Sequence, residues 1–97
     1  MSYLSEFPDY DGMLYCPKDW IDASYHNDTC PHIMRRIETE TMEIECNVWQ
    51  DYVNKELREN DYGARYLFQI KINGFVAYSL ETDDLEEVKH LMKGVTI

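Results

Sequence analysis

The sequence predicts an α+β fold: a small antiparallel sheet of three or more strands, with a C-terminal helix packed on one face and an aromatic N-terminal segment on the other. Three observations support this fold. Asn73-Gly74 separates two runs of alternating residues, a further alternating run occupies residues 42–48, and residues 85–92 have the apolar spacing of an amphipathic helix. The chain of 97 residues is expected to form a single domain, 1–97.

Asn73-Gly74 predicts a type I′ hairpin, because both turn positions need a positive φ and these two residues tolerate it best. The turn pairs Ile72 with Phe75. With regular pairing, one face of the hairpin carries Tyr66, Phe68, Ile70, Ile72, Phe75 and Ala77. The other face carries Leu67, Val76, Tyr78 and Leu80.

The segment after the hairpin predicts a helix that packs on the sheet. Thr82 is its expected N-terminal cap, acidic residues follow in the first turn, and Gly94 marks its C-terminal end. Leu85, Val88 and Met92 have the spacing i, i+3 and i+7, so they form an apolar stripe. This stripe is expected to face one side of the hairpin.

The N-terminal third is rich in aromatic residues and has few signals for regular structure. Pro8 and Gly12 favour an extended arm over residues 1–13, and Pro17 favours a short helical turn over residues 17–22. Two interpretations fit the arm: it covers the second face of the hairpin, or it lies on a partner protein, where Tyr and Trp act as anchors. The aromatic side chains concerned are Tyr3, Phe7, Tyr10, Tyr15, Trp20 and Tyr25.

The middle of the chain predicts a turn, a helix and a strand in that order. Residues 24–31 contain the turn-forming types Asn, Asp and Pro. Residues 32–40 predict a short helix, and residues 42–48 alternate as a half-buried strand that joins the hairpin. Residues 48–60 carry a strand signal and a helix signal. A strand that is followed by a helical turn or a long loop fits both. The apolar side of the predicted helix consists of Ile33, Met34 and Ile37.

Charge is the strongest global feature of the chain, which has 19 acidic and nine basic residues and a net charge of −10. Such a chain repels phosphates, so direct binding to nucleic acid is disfavoured and basic partners are favoured. The sequence contains neither an apolar run that would span a membrane nor a secretion signal. Cys16, Cys30 and Cys46 are therefore expected to be reduced thiols of a cytoplasmic protein.

Few residue patterns indicate catalysis or a bound cofactor. His26, Cys30 and His32 are zinc-ligand types, but their spacing, H-x3-C-x-H, lacks the second close pair of a typical zinc site. Cys30 has neighbouring histidines but no recognisable oxyanion element, and acidic surroundings raise the pKa of a thiol. The four glycines are isolated, so no phosphate-binding loop is present. We therefore expect a protein without enzymatic activity, cofactor or metal, and the sequence leaves its oligomeric state open.

The constellation with the clearest functional implication is acidic. Glu43 and Glu45 are two residues apart on the predicted middle strand, so their side chains share its outward face. A ridge of carboxylates imitates a row of phosphates and fits a Lys/Arg groove that normally holds nucleic acid, whereas the alternative is an ordinary solvated sheet face. The predicted partner-binding residues are Glu38, Glu40, Glu43, Glu45, Asp51, Glu56 and Glu59.

Residues 24–31, SYHNDTCP, resemble the stretch S-[WY]-H-N-D-x-C-P of a family of small phage and bacterial proteins of unknown function. Four later features are also similar to that family, namely the strand, the acid-rich loop, the hairpin and the Thr-Asp-Asp start of the helix. Residues 33–41 depart from the family pattern as an insertion. In size, acidity and phage-like character, the chain is similar in kind to prophage anti-CRISPR proteins, several of which occupy a nucleic-acid groove with acidic side chains.

This similarity implies a phage or prophage inhibitor that binds a basic nucleic-acid groove of a host defence complex and blocks DNA binding. A type I CRISPR surveillance complex is the candidate target. The alternative is a small intracellular structural or regulatory domain that binds a partner protein through residues 24–31.

Overall fold

The computed structural model of the protein describes residues 2–58 and 63–94. It contains one five-stranded antiparallel sheet in which the strands lie side by side in the order of the chain. The C-terminal helix, Leu85–Lys93, packs on this sheet, so the predicted α+β fold class is confirmed. The elements are α1 Tyr3–Glu6, β1 Ile21–Asp22, β2 His32–Glu38, β3 Glu43–Gln50, a 3₁₀ turn Lys55–Leu57, β4 Tyr66–Ile72, β5 Phe75–Thr82 and α2 Leu85–Lys93.

Strand β2 corrects the prediction of a helix over residues 32–40. Ile33 and Ile37 are four residues apart, which suits a helix, but they also lie on the same side of a strand. In the structure β2 pairs along its whole length with β3, and Ile33 lies opposite Val48 while Ile37 lies opposite Ile44. Pairing with an apolar neighbour decides between the two periods, and β-branched isoleucine is well suited to the strand.

The hairpin between β4 and β5 has the predicted turn. Asn73 and Gly74 both have positive φ angles, 50° and 85°, and Ile72 lies opposite Phe75. A bulge next to the turn then shifts the register, because Lys71 lies opposite Val76 while Ile70 lies opposite Tyr78. Ala77 is the extra residue, and every residue of β5 after it changes face relative to regular pairing.

The bulge corrects the predicted faces of the hairpin. Tyr78 and Leu80 share the face of Phe68 and Ile70, instead of lying on the opposite one. The rings of Phe68 and Tyr78 meet edge to face, with centroids 6.1 Å apart. The alternating pattern therefore predicts correctly that β5 is a strand, but it does not predict on which face the side chains of β5 lie.

Helix α2 places its predicted apolar stripe against the sheet. Val88 and Met92 are buried, and Leu85 packs beside them in the main core. The cap is Asp84, whose Oδ1 accepts a hydrogen bond from the Glu86 N–H at 3.0 Å. Thr82, the predicted cap, instead ends β5 and accepts a hydrogen bond from the Asp84 N–H. Gly94 ends the helix, as predicted.

The N-terminal segment divides between two places. Trp20 lies in the same buried cluster as Val88 and Met92, so it covers the face that carries α2, not the opposite one. Tyr3, Phe7 and Tyr10 instead pack around Tyr52, which follows β3. The predicted extended arm contains the one-turn helix α1, and the predicted helical turn at 17–22 is a turn at Pro17 followed by strand β1.

Candidate acidic interface

The sheet has a covered face and an open face. The covered face packs against α2 and Trp20 and includes Ile33, Val48 and Phe68, all fully or almost fully buried. On the open face the side chains are half-buried or exposed, except for Asn47. From one end to the other, its cross-strand rows on β2, β3 and β4 are Glu38 with Glu43; Arg36 with Glu45 and Lys71; Met34 with Asn47 and Gln69; and His32 with Trp49 and Leu67.

A polar network holds the middle of the open face. Arg36 Nη2 lies 3.1 Å from Glu45 Oε1, and Asn47 Nδ2 donates to Glu45 Oε2 at 3.1 Å. His32 Nε2 lies 3.1 Å from Asn47 Oδ1, and the His32 ring stacks on Trp49 at a centroid distance of 4.9 Å. The hydrogen bond from Asn47, with the help of Arg36, holds the pKa of Glu45 below its usual value.

The end of the open face is different, because two carboxylates stand opposite each other there. Glu38 of β2 lies directly across from Glu43 of β3. The turn that joins the two strands contains Glu40, and all residues from 38 to 43 are exposed. We call Glu38, Glu40 and Glu43 the acidic tip. Arg36 Nε lies 3.4 Å from Glu43 Oε1, so one guanidinium is shared between Glu43 and Glu45.

Hydrogen bonds hold the backbone of the acidic tip. The Thr39 N–H donates to the Met42 carbonyl at 2.8 Å, and the Thr39 hydroxyl accepts from the Met42 N–H at 3.0 Å. On the other side, the Glu43 N–H donates to Asn73 Oδ1 at 2.9 Å. The carboxylates of the tip are therefore carried on a fixed turn, while their side chains extend into solvent.

The structure brings together four of the seven predicted acidic residues, namely Glu38, Glu40, Glu43 and Glu45. Asp51 is a correction: it is 0% exposed, so it adds nothing to an acidic surface. Glu56 is exposed, but it lies in the 3₁₀ turn beyond the other end of β3, roughly 25 Å of strand away from Glu43. Glu59 lies outside the described residues.

Sequence reasoning missed Arg36, the cation that most changes the charge of the predicted ridge. The predicted helix over residues 32–40 gives Arg36 no defined position relative to Glu43 and Glu45. The available signal was the two-residue period of Ile33 and Ile37, with Arg35 between them on the same face. In a strand, that period places Arg36 on the face of the glutamates.

The candidate zinc and thiol residues face different partners. His26 Nδ1 lies 3.1 Å from Glu6 Oε1, whereas His32 faces Asn47 and Asp28. Among the described residues, no three His, Cys, Asp or Glu side chains form a group that could hold a metal ion. Burial, and next to it the charge of Asp51, raises the pKa of Cys30 to about 12, which leaves the thiol protonated at neutral pH.

The stretch at residues 24–31 has a structural half and an exposed half. Ser24, Cys30 and Pro31 are buried; the Ser24 hydroxyl accepts from the His32 N–H, and the Pro31 carbonyl accepts from the Gln50 N–H. Tyr25, His26 and Asn27 are exposed, and their rings and amide contact one another. The turn thus fixes the start of β2 and presents a small polar-aromatic surface beside it.

Comparisons of the chain with protein-family models, curated proteins and solved structures gave no match. Over residues 2–58 and 63–94, neither helix has the length and apolar composition that crossing a bilayer requires.

Proposed function

We propose that this protein is a non-enzymatic inhibitor from a phage or prophage, which acts in the host cytoplasm. Its target is a basic nucleic-acid groove of a host defence complex, with a type I CRISPR surveillance complex as the candidate. The acidic tip enters this groove and blocks DNA binding. The observation that carries the proposal is the pairing of Glu38 with Glu43 on the open face, beside exposed Glu40.

The pairing of Glu38 with Glu43 supports a binding role because one cation, Arg36, is shared among Glu38, Glu43 and Glu45. Like charges directly opposite each other in an antiparallel pair destabilise the sheet. The neighbouring row, where Arg36 lies opposite Glu45, has the favourable arrangement. A lysine or arginine from a partner, placed between Glu38 and Glu43, removes the repulsion and makes charge-assisted hydrogen bonds to both.

The net charge of −10 supports the same partner class. A field of this sign attracts a Lys/Arg groove during diffusion and repels DNA that competes for the same groove. Association should therefore be fast at low ionic strength and much slower in high salt, because screening shortens the range of the field. The rate of dissociation, in contrast, depends on the contacts of the acidic tip.

Displacement of DNA from a purified type I surveillance complex tests the proposal. The readout is the fluorescence anisotropy of labelled target DNA while the protein is added. We expect the wild-type protein to displace DNA, and the variant Glu38→Gln/Glu40→Gln/Glu43→Gln to be weaker by about tenfold or more. The matched control is Glu81→Gln/Glu86→Gln/Glu87→Gln, which removes the same charge from exposed positions near α2.

Two results contradict the proposal at different levels. If the wild-type protein fails to displace DNA in low and in high salt, the surveillance complex is not the target. If the tip variant and the control variant are weakened equally, the acidic tip is not the binding site, because only net charge would then matter. Circular dichroism of each variant confirms that the fold is retained.

The exposed half of residues 24–31 favours a second candidate function, a structural or regulatory interaction domain. Tyr25 and His26 form a surface in which the rings are 4.6 Å apart, and the His26 side chain is 61% exposed. In this case the variant Tyr25→Ala/His26→Ala loses partner binding, whereas the tip variant keeps it. If the tip variant loses partner binding and the Tyr25→Ala/His26→Ala variant keeps it, the second candidate is excluded.

A further inference from the structure

A basic cavity lies on the covered side of the molecule, between residues 15–20 and α2. Its volume is about 390 Å³. Four of the nine Lys and Arg residues of the chain line it, against the single carboxylate of Asp19. The four cations come from three separate segments and are Lys18, Arg35, Lys89 and Lys93.

This concentration of positive charge contrasts with the rest of an acidic protein. Like charges around one cavity repel each other, and an anion bound among them reduces that repulsion. Lys89 is already held in place: its Nζ lies 3.3 Å from Glu86 Oε1 and 4.9 Å from the centroid of the Tyr15 ring. Lys18 and Lys93 are exposed at the rim, where they can turn towards a ligand.

The rest of the cavity is apolar, and its residues are held by core packing or by hydrogen bonds. Trp20 and Met92 line it and also belong to the buried core, with exposures of 7% and 5%. Tyr15 is fixed through its backbone, because its N–H donates to Gln50 Oε1 at 2.8 Å and its carbonyl accepts from Gln50 Nε2 at 2.7 Å. The cavity is therefore largely preformed, as ligand sites usually are.

We propose that this cavity binds a small anionic ligand with a planar ring, of the nucleoside monophosphate class. The phosphate is bound by the rim lysines and Arg35, while the base lies on the apolar surface that Tyr15 and Pro17 form together with the edges of Trp20 and Met92. The volume falls within the range of small-molecule sites, about 300–1,000 Å³. The net charge of −10 disfavours a long polyanion, whose outer phosphates would lie beyond the local cations. This site is independent of the acidic tip.

Titration calorimetry with adenosine monophosphate, adenosine and ribose 5-phosphate tests the site. We expect adenosine monophosphate to bind about tenfold or more tightly than either fragment, because only it uses both the cations and the apolar surface. Tryptophan fluorescence of a Trp49→Phe variant reports from the cavity, because Trp20 is then the remaining tryptophan. We expect that signal to change with the same dissociation constant.

Single substitutions at the rim give the decisive comparison. Lys18→Gln and Lys93→Gln should each lower the affinity for adenosine monophosphate by about fivefold. Lys55 is an exposed lysine in the 3₁₀ turn, and Lys55→Gln should leave the affinity unchanged. Three results overturn the proposal: no saturable binding at millimolar concentrations, equal affinity for the nucleotide and ribose 5-phosphate, or equal effects of all three substitutions.

Discussion

The covered and open faces of the sheet differ in what holds their side chains in place. On the covered face, Ile33, Val48 and Phe68 pack in a continuous apolar cluster with Val88 of α2. On the open face the contacts are mainly polar, and they run from His32 through Asn47 to Glu45 and Arg36. Both faces belong to the same strands, so alternation along each strand separates the two kinds of contact.

This difference separates the residues that fold the protein from those available for binding. Tight packing makes the covered face sensitive to the loss of a few atoms. Charged contacts on the open face contribute little to stability, since water screens them and the side chains lose freedom when they pair. Substitutions on the open face can therefore change binding while the fold remains intact.

The largest difference is expected between two phenylalanines on neighbouring strands. Phe68 is 1% exposed and Phe75 is 79% exposed. Phe68→Ala should lower the free energy of unfolding by about 3–5 kcal/mol, because it removes a ring from the core and leaves a cavity. Phe75→Ala should lower it by less than ~0.5 kcal/mol. Phe75 lies opposite Ile72, on the same side of the sheet as Phe68, so the two variants compare a buried ring with an exposed one. Urea denaturation measures both, and similar losses would show that burial of the ring does not set its contribution.

A smaller difference is expected between two glutamines. Gln50 is 1% exposed on the covered face and bonds both the N–H and the carbonyl of Tyr15. Gln50→Ala should cost about 2–3 kcal/mol, because these backbone groups lose their partners. Gln69→Ala, on the open face, should change stability by less than ~0.5 kcal/mol. If the Gln50→Ala protein is as stable as the Gln69→Ala protein, the two hydrogen bonds from Gln50 to Tyr15 do not stabilise the fold.

Part of the covered face could be predicted from sequence, because the signals for that part are local. Asn73-Gly74 gave the hairpin, and the spacing of Val88 and Met92 gave the apolar stripe of α2. The bulge at Ala77 could not be predicted in the same way. Its sequence has no glycine or proline, so the reversal of Tyr78 and Leu80 depends on pairing with β4.

The acidic interface was only partly predictable, because burial depends on distant residues. Alternation was enough to place Glu43 and Glu45 on one face. Asp51 directly follows β3, and its neighbours in sequence gave no sign that it is buried. Its backbone carbonyl accepts a hydrogen bond from the hydroxyl of Tyr10, which is 41 residues away. The basic cavity could not be predicted for the same reason, because its cations come from three segments far apart in the chain.

The next prediction concerns the pH dependence of stability. Burial holds the pKa of His32 below its usual value, despite the opposing effects of Asn47, Asp28 and Glu45. The unfolded chain therefore binds the proton more readily than the folded chain. The neutral His32 contributes fully to the free energy of unfolding above about pH 6.5, and this contribution declines as the pH falls towards the folded pKa. Urea denaturation between about pH 7.5 and 5.5 should show this decline.

Two variants assign the decline to the open face. His32→Gln should flatten the dependence in this pH range, and His90→Gln, at an exposed position of α2, is the control substitution. The lowered pKa of Glu45 acts at lower pH, below about 4.5, so it does not contribute in this window. An unchanged slope in His32→Gln would mean that another group causes the decline.

The smallest effect is expected at the acidic tip, and its sign is the informative part. Glu38→Gln removes both the repulsion with Glu43, which lies directly opposite, and the attraction to Arg36; we expect the lost repulsion to be the larger, so the free energy of unfolding should rise by a few tenths of a kcal/mol. The gain should disappear in high salt, because the two carboxylates are exposed and screened. Glu81→Gln is the control, since Glu81 lies opposite the uncharged Leu67 and should give no such gain. Under the proposed function, Glu38→Gln is more stable and yet displaces DNA less well. Loss of both stability and displacement would instead indicate that Glu38 holds the turn, and the acidic tip would then need no partner to explain it.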